Sequence, residues 1–267
     1  MFDNKLSRRG FIAGASALAV GAAYAQLSGL PSAEAKGQPS ERWPWPYVKL
    51  DPATSAEIAY KEWYRLYCGG AVISSIFGQL REKAGGPYKA FPIDHFIYLE
   101  GGTCGWGTIC GSLAGATMVI NMIVGPEKLE PSVWENHTDA ILMGSEVMQW
   151  YSDANMPVFV PKNPKTTAGL THTVSHSPLC HISVGKWMKA ANKPLGSPER
   201  KDRCARVTAS VTYRVVELLN EWKDGKYETK GVFPPEEYDI TAQGNCEECH
   251  GSNVPTPPSS KKPEKAS

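Results

Sequence analysis

The chain has 267 residues, 42% hydrophobic and 21% charged, with eight Trp and eleven Tyr, a composition that supports a sizeable core and excludes disordered and collagen-like classes. Lys plus Arg number 28 against 27 Asp plus Glu; without the first 25 residues, which carry Lys5, Arg8 and Arg9 against Asp3, the balance is 25 to 26. Such near-neutrality argues against nucleic-acid binding and polybasic membrane attachment, both of which need concentrated positive charge.

In chain order, Ser7-Arg8-Arg9-Gly10-Phe11-Ile12 precedes a weakly apolar run, Ala13 to Ala25, that ends on the small-x-small step Ala23-Tyr24-Ala25. This reads as a twin-arginine signal peptide over residues 1–25, with a second cleavage step at Ala33-Glu34-Ala35 that would extend it to 35. The apolar run is shorter than the roughly 20 residues that span a bilayer, so no stable membrane insertion is expected. Twin-arginine export moves folded cargo, often with its cofactor already loaded, and the predicted location is the periplasm. Residues 36–53, with Trp43-Pro44-Trp45-Pro46 and Asp51-Pro52, cannot hold a helix and read as an extended arm whose aromatics pack on the body.

Ile58, Trp63, Leu66, Tyr67, Ala71, Ile73, Phe77 and Leu80 recur at helical intervals and predict a helix over 55–84, stopped by Gly85-Gly86-Pro87. A second, apolar helix is predicted over about 107–124, where Gly111 and Gly115 would let another backbone approach closely. Pro131-Ser132 opens a predicted helix to about 151, residues 152–181 are loop-rich, and helices resume over 182–192 and 198–223. With no internal repeat, the expected fold is mainly α: one helical domain over 36–230 with an extended N-terminal arm, followed by a tail over 231–267.

That tail carries Cys246-Glu247-Glu248-Cys249-His250, the C-x-x-C-H attachment signature of a c-type haem. Two thiols add to the two vinyl groups of the macrocycle, and the adjacent imidazole ligates the iron from below. Cys246 and Cys249 are therefore the expected haem thioethers and His250 the proximal ligand. A zinc knuckle would need a second Cys or His pair at comparable spacing, and no other Cys pair here is three apart. A redox C-x-x-C ordinarily opens a helix in a βαβ unit, unlike this Gly/Pro-flanked tail.

Five other cysteines, Cys68, Cys104, Cys110, Cys180 and Cys204, remain from an odd total of seven. In an oxidising compartment disulfides are the default. Against that default, Cys104 and Cys110 lie in Gly101-Gly102-Thr103-Cys104-Gly105-Trp106-Gly107-Thr108-Ile109-Cys110-Gly111, a backbone that could turn amide N–H groups toward cluster sulfides.

Tyr67-Cys68-Gly69-Gly70-Ala71-Val72 and Cys110-Gly111-Ser112-Leu113-Ala114-Gly115 resemble the C-GCAxxG-C-C redox proteins. Together with the C-terminal haem motif, residues 50 to 250 resemble the split-Soret cytochromes c, through Cys68, Cys104, Cys110 and Cys180 in order. The resemblance implies a mainly helical homodimer with grouped haem c, bis-histidine ligation and an iron–sulfur centre, [2Fe–2S], on Cys68, Cys104, Cys110 and Cys180, with Cys204 as the substitute ligand. It also implies two haems per subunit, whereas this sequence has one C-x-x-C-H. Ser177-Pro178-Leu179-Cys180-His181 has the shape of a second motif lacking its first Cys, although Cys180 is preferred as a cluster ligand.

A haem with His250 alone would be open to small ligands, and a second His would make it a low-spin electron carrier. His176, His181 and His172, three within ten residues, are the distal candidates in that order, and the ligand could come from the neighbouring subunit. The functional expectation is a multicentre electron-transfer protein, not an enzyme, serving redox partner proteins. Two rivals stand beside it: a haem reductase acting on a small oxyanion or peroxide, and a disulfide-stabilised c-haem sensor without a cluster.

Overall fold

The computed structural model describes residues 43–126, 138–167 and 171–234. The export signal, the later cleavage step and the haem motif at Cys246, Cys249 and His250 lie outside the described residues.

Among the described residues five α-helices carry the fold: α1 (Pro52–Lys83), α2 (Gly111–Val124), α3 (Asp139–Asp153), α4 (Cys180–Ala191) and α5 (Pro198–Lys223), with 3₁₀ turns at Gly86–Lys89 and Ile93–Leu99. No strand occurs among the described residues, where pairing is limited to the isolated bridges Ile109–Leu179 and Met156–Thr173. The mainly helical expectation is met.

Helix starts follow local chemistry. Asp51 caps α1 by accepting from the Thr54 N–H at 2.7 Å, and Ser197 caps α5 by accepting from the Arg200 N–H at 3.2 Å. Each cap is followed by a proline in the first turn, where a missing N–H costs nothing. Thr138 is extended at the N-cap of α3, which runs from Asp139; the expected helix start at Pro131-Ser132 lies outside the described residues.

The long helices α1 and α5 pack side by side, α2 packs on both, and α3 packs on α2 and α5. Ile73, Ile76, Phe77 and Leu80 of α1 meet Leu113, Val119, Ile120 and Ile123 of α2 and Val211, Val215 and Leu219 of α5, all fully or almost fully buried. Each such side chain contributes roughly 1.5–3 kcal/mol through removal from water.

The N-terminal arm is clamped as its Trp-Pro pattern implies. Trp45 inserts among Phe77, Tyr88 and Phe91 with ring centroids 5.1–5.5 Å apart. Its N–H donates to Met122 O, and the Trp43 indole donates to Asn121 O. Asn220 of α5 accepts from the Tyr47 hydroxyl and donates to Leu50 O, which ties the arm across the end of the bundle.

Candidate functional site

At the other end of α1 a smaller buried group, Ala56, Tyr60, Trp63, Cys68, Ala71, Cys204, Ala205 and Ala209, surrounds two cysteines. The helix does not run smoothly into it. Tyr67 adopts φ 53° and ψ −159°, a conformation strained for any bulky L-residue, and this break immediately precedes Cys68.

Cys68 meets Cys110 because α1 and α2 cross at glycines. A Cβ on Gly111 would lie 1.7 Å from Leu99 O and 2.9 Å from the Cys68 Cβ, and one on Gly115 would lie 2.9 Å from the Gly69 Cα. Only hydrogen fits at these positions, as the close-approach reading of Gly111 and Gly115 requires.

Cys110 meets Cys180 through a short backbone ladder. The Cys110 N–H donates to Pro178 O at 2.8 Å, the Cys180 N–H donates to Thr108 O at 2.7 Å, and the His181 N–H donates to Gly107 O at 3.0 Å. Both thiols then stand at helix starts: Cys110 is the N-cap of α2 and Cys180 the first residue of α4.

Cys68, Cys180 and Cys204 line one cavity of about 620 Å³, together with Trp63, Tyr67, the loop glycines Gly101, Gly105 and Gly107, and His181. Cys110 is buried and interacts electrostatically with Cys68 and Cys180. None of the five described cysteines forms a disulfide.

Cys104 stands apart: it is exposed and does not line the cavity. It belongs to five successive residues of positive φ, Gly101 to Gly105, in which Thr103 and Cys104 are strained. The N–H groups of Cys104 to Thr108 donate to carbonyls of residues 98–103. The glycines thus close their own loop, and these amides are not free to face a sulfide.

Burial pushes the Cys68 thiol well above its ordinary pKa, the nearby Cys110, Cys204 and Cys180 add to this, and the Trp63 indole N–H opposes it. Cys180 is pushed up to about 12 by burial, then by Cys110 and Cys204, with Arg203 and Arg200 opposing. Without metal Cys68 and Cys180 are therefore neutral thiols; a bound cationic centre reverses that preference outright.

Two buried groups that sequence patterning missed bear on what the thiols hold. Arg203 is 1% exposed, donates to Ser183 Oγ at 2.9 Å, leaves its Nε unpaired and has no carboxylate partner among the described residues. An unneutralised buried guanidinium is costly unless an anion lies beside it. The Trp63 Nε1–H, which faces Cys68, is likewise buried without an acceptor in ordinary hydrogen-bond geometry.

Among the described residues no three His, Cys, Asp or Glu side chains close on a single ion. Soft thiols spread around a cavity, with a spare cation and a spare N–H, suit a larger anionic group, and a thiolate-ligated multinuclear iron centre has that chemistry. His172, His176 and His181 are all exposed. His181 alone of these lines the cavity; His172 is at the far end of the loop, its Nδ1 3.4 Å from Asn155 O, and His176 has φ 52°.

A mainly helical body that gathers cysteines at one glycine-lined cavity defines a cysteine-based redox protein. The chain belongs to the redox-active protein family C_GCAxxG_C_C, whose sequence model matches residues 68–218. It is 33% identical over 261 residues to the split-Soret cytochrome c of Desulfovibrio desulfuricans (strain ATCC 27774 / DSM 6949 / MB), covering 92% of this chain and 87% of that protein. It also matches the solved structure described as a novel iron centre in the split-Soret cytochrome c from Desulfovibrio desulfuricans ATCC 27774, with a TM-score of 0.63 and 33% identity over 77% of this chain and 81% of that one.

Proposed function

We propose that the protein is a periplasmic electron carrier with two kinds of centre: a haem c joined to Cys246 and Cys249 and ligated by His250, and a [2Fe–2S] cluster in the α1–α2–α4–α5 cavity. For the cluster we favour Cys68, Cys110, Cys180 and Cys204, with Cys204 replacing the exposed Cys104. The observation that carries this reading is the largely buried set of thiols beside buried Arg203, whose guanidinium has no carboxylate partner among the described residues. Iron–sulfide chemistry would supply one-electron exchange there, while the chain's own groups hold the thiols, offer the Trp63 N–H and provide compensating charge.

His181, at the cavity wall, is now the first choice for the distal haem ligand because it would bring haem and cluster within tunnelling reach. Ile97, Tyr98 and Trp106 are 43%, 47% and 84% exposed, and such an apolar edge beside the cavity supports a homodimer. Among the described residues no helix is long and apolar enough to cross a membrane.

The test is composition and spectrum of the mature protein made in a host competent for haem attachment. About three iron atoms per chain with acid-labile sulfide, and an intact mass increased by one haem, are expected for one [2Fe–2S] and one haem. One iron without sulfide removes the cluster, and an unmodified mass removes the haem. A reduced spectrum unchanged by carbon monoxide supports a six-coordinate carrier; rapid adduct formation favours the reductase.

A further inference from the structure

The thiol cavity opens at the surface through a mouth that carries positive charge. Its lining includes Arg200 and Lys201 of α5, and His181, Gly185 and Met188 mark the stripe of α4 that faces it. Lys189, four residues beyond Gly185, continues that stripe one turn further out. Lys189 and Lys201 are exposed and have no carboxylate partner among the described residues. Glu199 is already paired with Lys193 at 2.6 Å, which leaves Glu100 as the carboxylate of the lining. Apolar surface accompanies the charge: Leu195 lines the same mouth, is 59% exposed, and accepts from Arg200 Nε through its carbonyl at 2.6 Å.

The sequence supplies the matching anion. Between Lys230 and Lys261 there is no Lys or Arg, while Glu236, Glu237, Asp239, Glu247 and Glu248 give that stretch five negative charges. Glu247 and Glu248 lie between the two haem-attachment cysteines. The stretch also starts in the right place. Val232 O accepts from Ser145 Oγ of α3. Tyr151, about 9 Å further along that helix, donates to Ser183 in the first turn of α4, beside the cavity. From Pro234 to Cys246 the chain can span up to roughly 40 Å, so the motif reaches the cavity mouth of its own chain. Exposed ion pairs are individually weak. A tether of this length, however, holds the segment at an effective concentration in about the millimolar range, so a few such pairs keep it seated, an advantage that a separate acidic protein lacks.

We propose that residues 236–250 form a latch over the cavity mouth of their own chain, with Glu247 and Glu248 paired to Lys189 and Lys201. Seated there, the segment screens the thiols from solvent and sets His250 on the same face as His181. The latch deepens the two-centre reading and rests on it only for the haem that the segment carries to that face.

Full-length protein made in a host competent for haem attachment has its intact mass measured, and is then treated with a zero-length carbodiimide and digested for peptide mapping. Wild type is expected to give amide links from Glu247 or Glu248 to Lys189 or Lys201, in species that migrate at the mass of one chain. Links found only at twice that mass place a second copy on the mouth, and links only to other lysines, or none at all, leave the mouth uncovered; each of these overturns the latch. Thermolysin cutting before Ile240 gives an independent reading. Joint Lys189→Glu and Lys201→Glu substitution should raise that rate several-fold, and adding Glu247→Lys and Glu248→Lys should bring it back near the wild-type value. Both lysines are exposed, so their reversal leaves the helices intact, which circular dichroism checks. An unchanged rate in the reversed variant, or no recovery in the swapped one, overturns the latch. A bare apoprotein mass together with the expected links removes the haem and keeps the latch.

Discussion

A thiol that holds iron has to be reachable by the metal and shielded from competing ligands, and Cys204 meets both conditions where Cys104 does not. Cys204 is buried on α5, lines the cavity and has Arg200 Nη1 3.9 Å from its sulfur; Cys104 is exposed on a strained turn. Cys204→Ser is therefore expected to reduce iron from about three to about one atom per chain, and Cys104→Ser to leave it near three; iron and sulfide analysis of the two variants reads the difference directly. Gly111 makes a second prediction at the same scale. An alanine methyl there would collide with Leu99 O and crowd the Cys68 Cβ, so the α1–α2 crossing would have to open. Gly111→Ala should cost about 3 kcal/mol in denaturant unfolding and lower cluster content, since overpacking at a backbone contact has little room to relax.

Elements are held to one another by a few buried polar clamps, and Glu146 on α3 is one of them. Its carboxylate accepts from Arg214 Nη2 of α5 at 2.9 Å, from the Tyr227 hydroxyl at 3.0 Å and from the Lys230 N–H at 3.2 Å. One side chain thereby joins α3, α5 and the segment that leads toward the haem motif. Glu146→Ala should destabilise the fold by about 2 kcal/mol, below the range for a fully buried pair because Arg214 retains 24% exposure. Limited proteolysis should then cut first near residues 227–232, and cleavage at the wild-type rate would show that the clamp holds nothing. Helix positions were readable from sequence because capping and periodicity are local: α5 begins at Pro198 as expected, and Gly111 and Gly115 announce a close crossing, whereas Asp51-Pro52, read as part of the extended arm, caps and opens α1 three residues before the expected 55. The site was readable only in outline. Five cysteines were visible, but which of them converge depends on how α1 and α5 align, and the family resemblance placed Cys104 ahead of Cys204. The Tyr67 break, the burial of Arg203 and the sharing of Asp202 by two tyrosines are tertiary facts with no periodic signature.

Across the whole molecule, stability at high pH is set by phenols buried in several layers at once. Tyr47 and Tyr88 fix the arm, with Tyr88 donating to Pro46 O, and Tyr151 lies inside the bundle donating to Ser183 Oγ. Burial raises the pKa of all three, and it pushes Tyr227, beside the Glu146 carboxylate, up to about 12. A raised pKa means that the folded chain keeps protons which the unfolded chain gives up near the ordinary phenol value of about 10. Their contribution is accordingly complete below about pH 10 and is lost as pH rises through 10 toward and beyond 12. Phenolate absorbance from these residues should therefore appear together with loss of the helical circular dichroism signal, in one cooperative alkaline transition. Tyr88→Phe discriminates between burial and simple contact: losing the bond to Pro46 O should cost about 1 kcal/mol at neutral pH, yet the alkaline midpoint should move upward because one deprotonation that drives unfolding has been removed. A midpoint that falls in step with the neutral-pH loss, or phenolate absorbance that develops fully while the helices persist, would show that these phenols ionise within the fold and do not govern its alkaline limit.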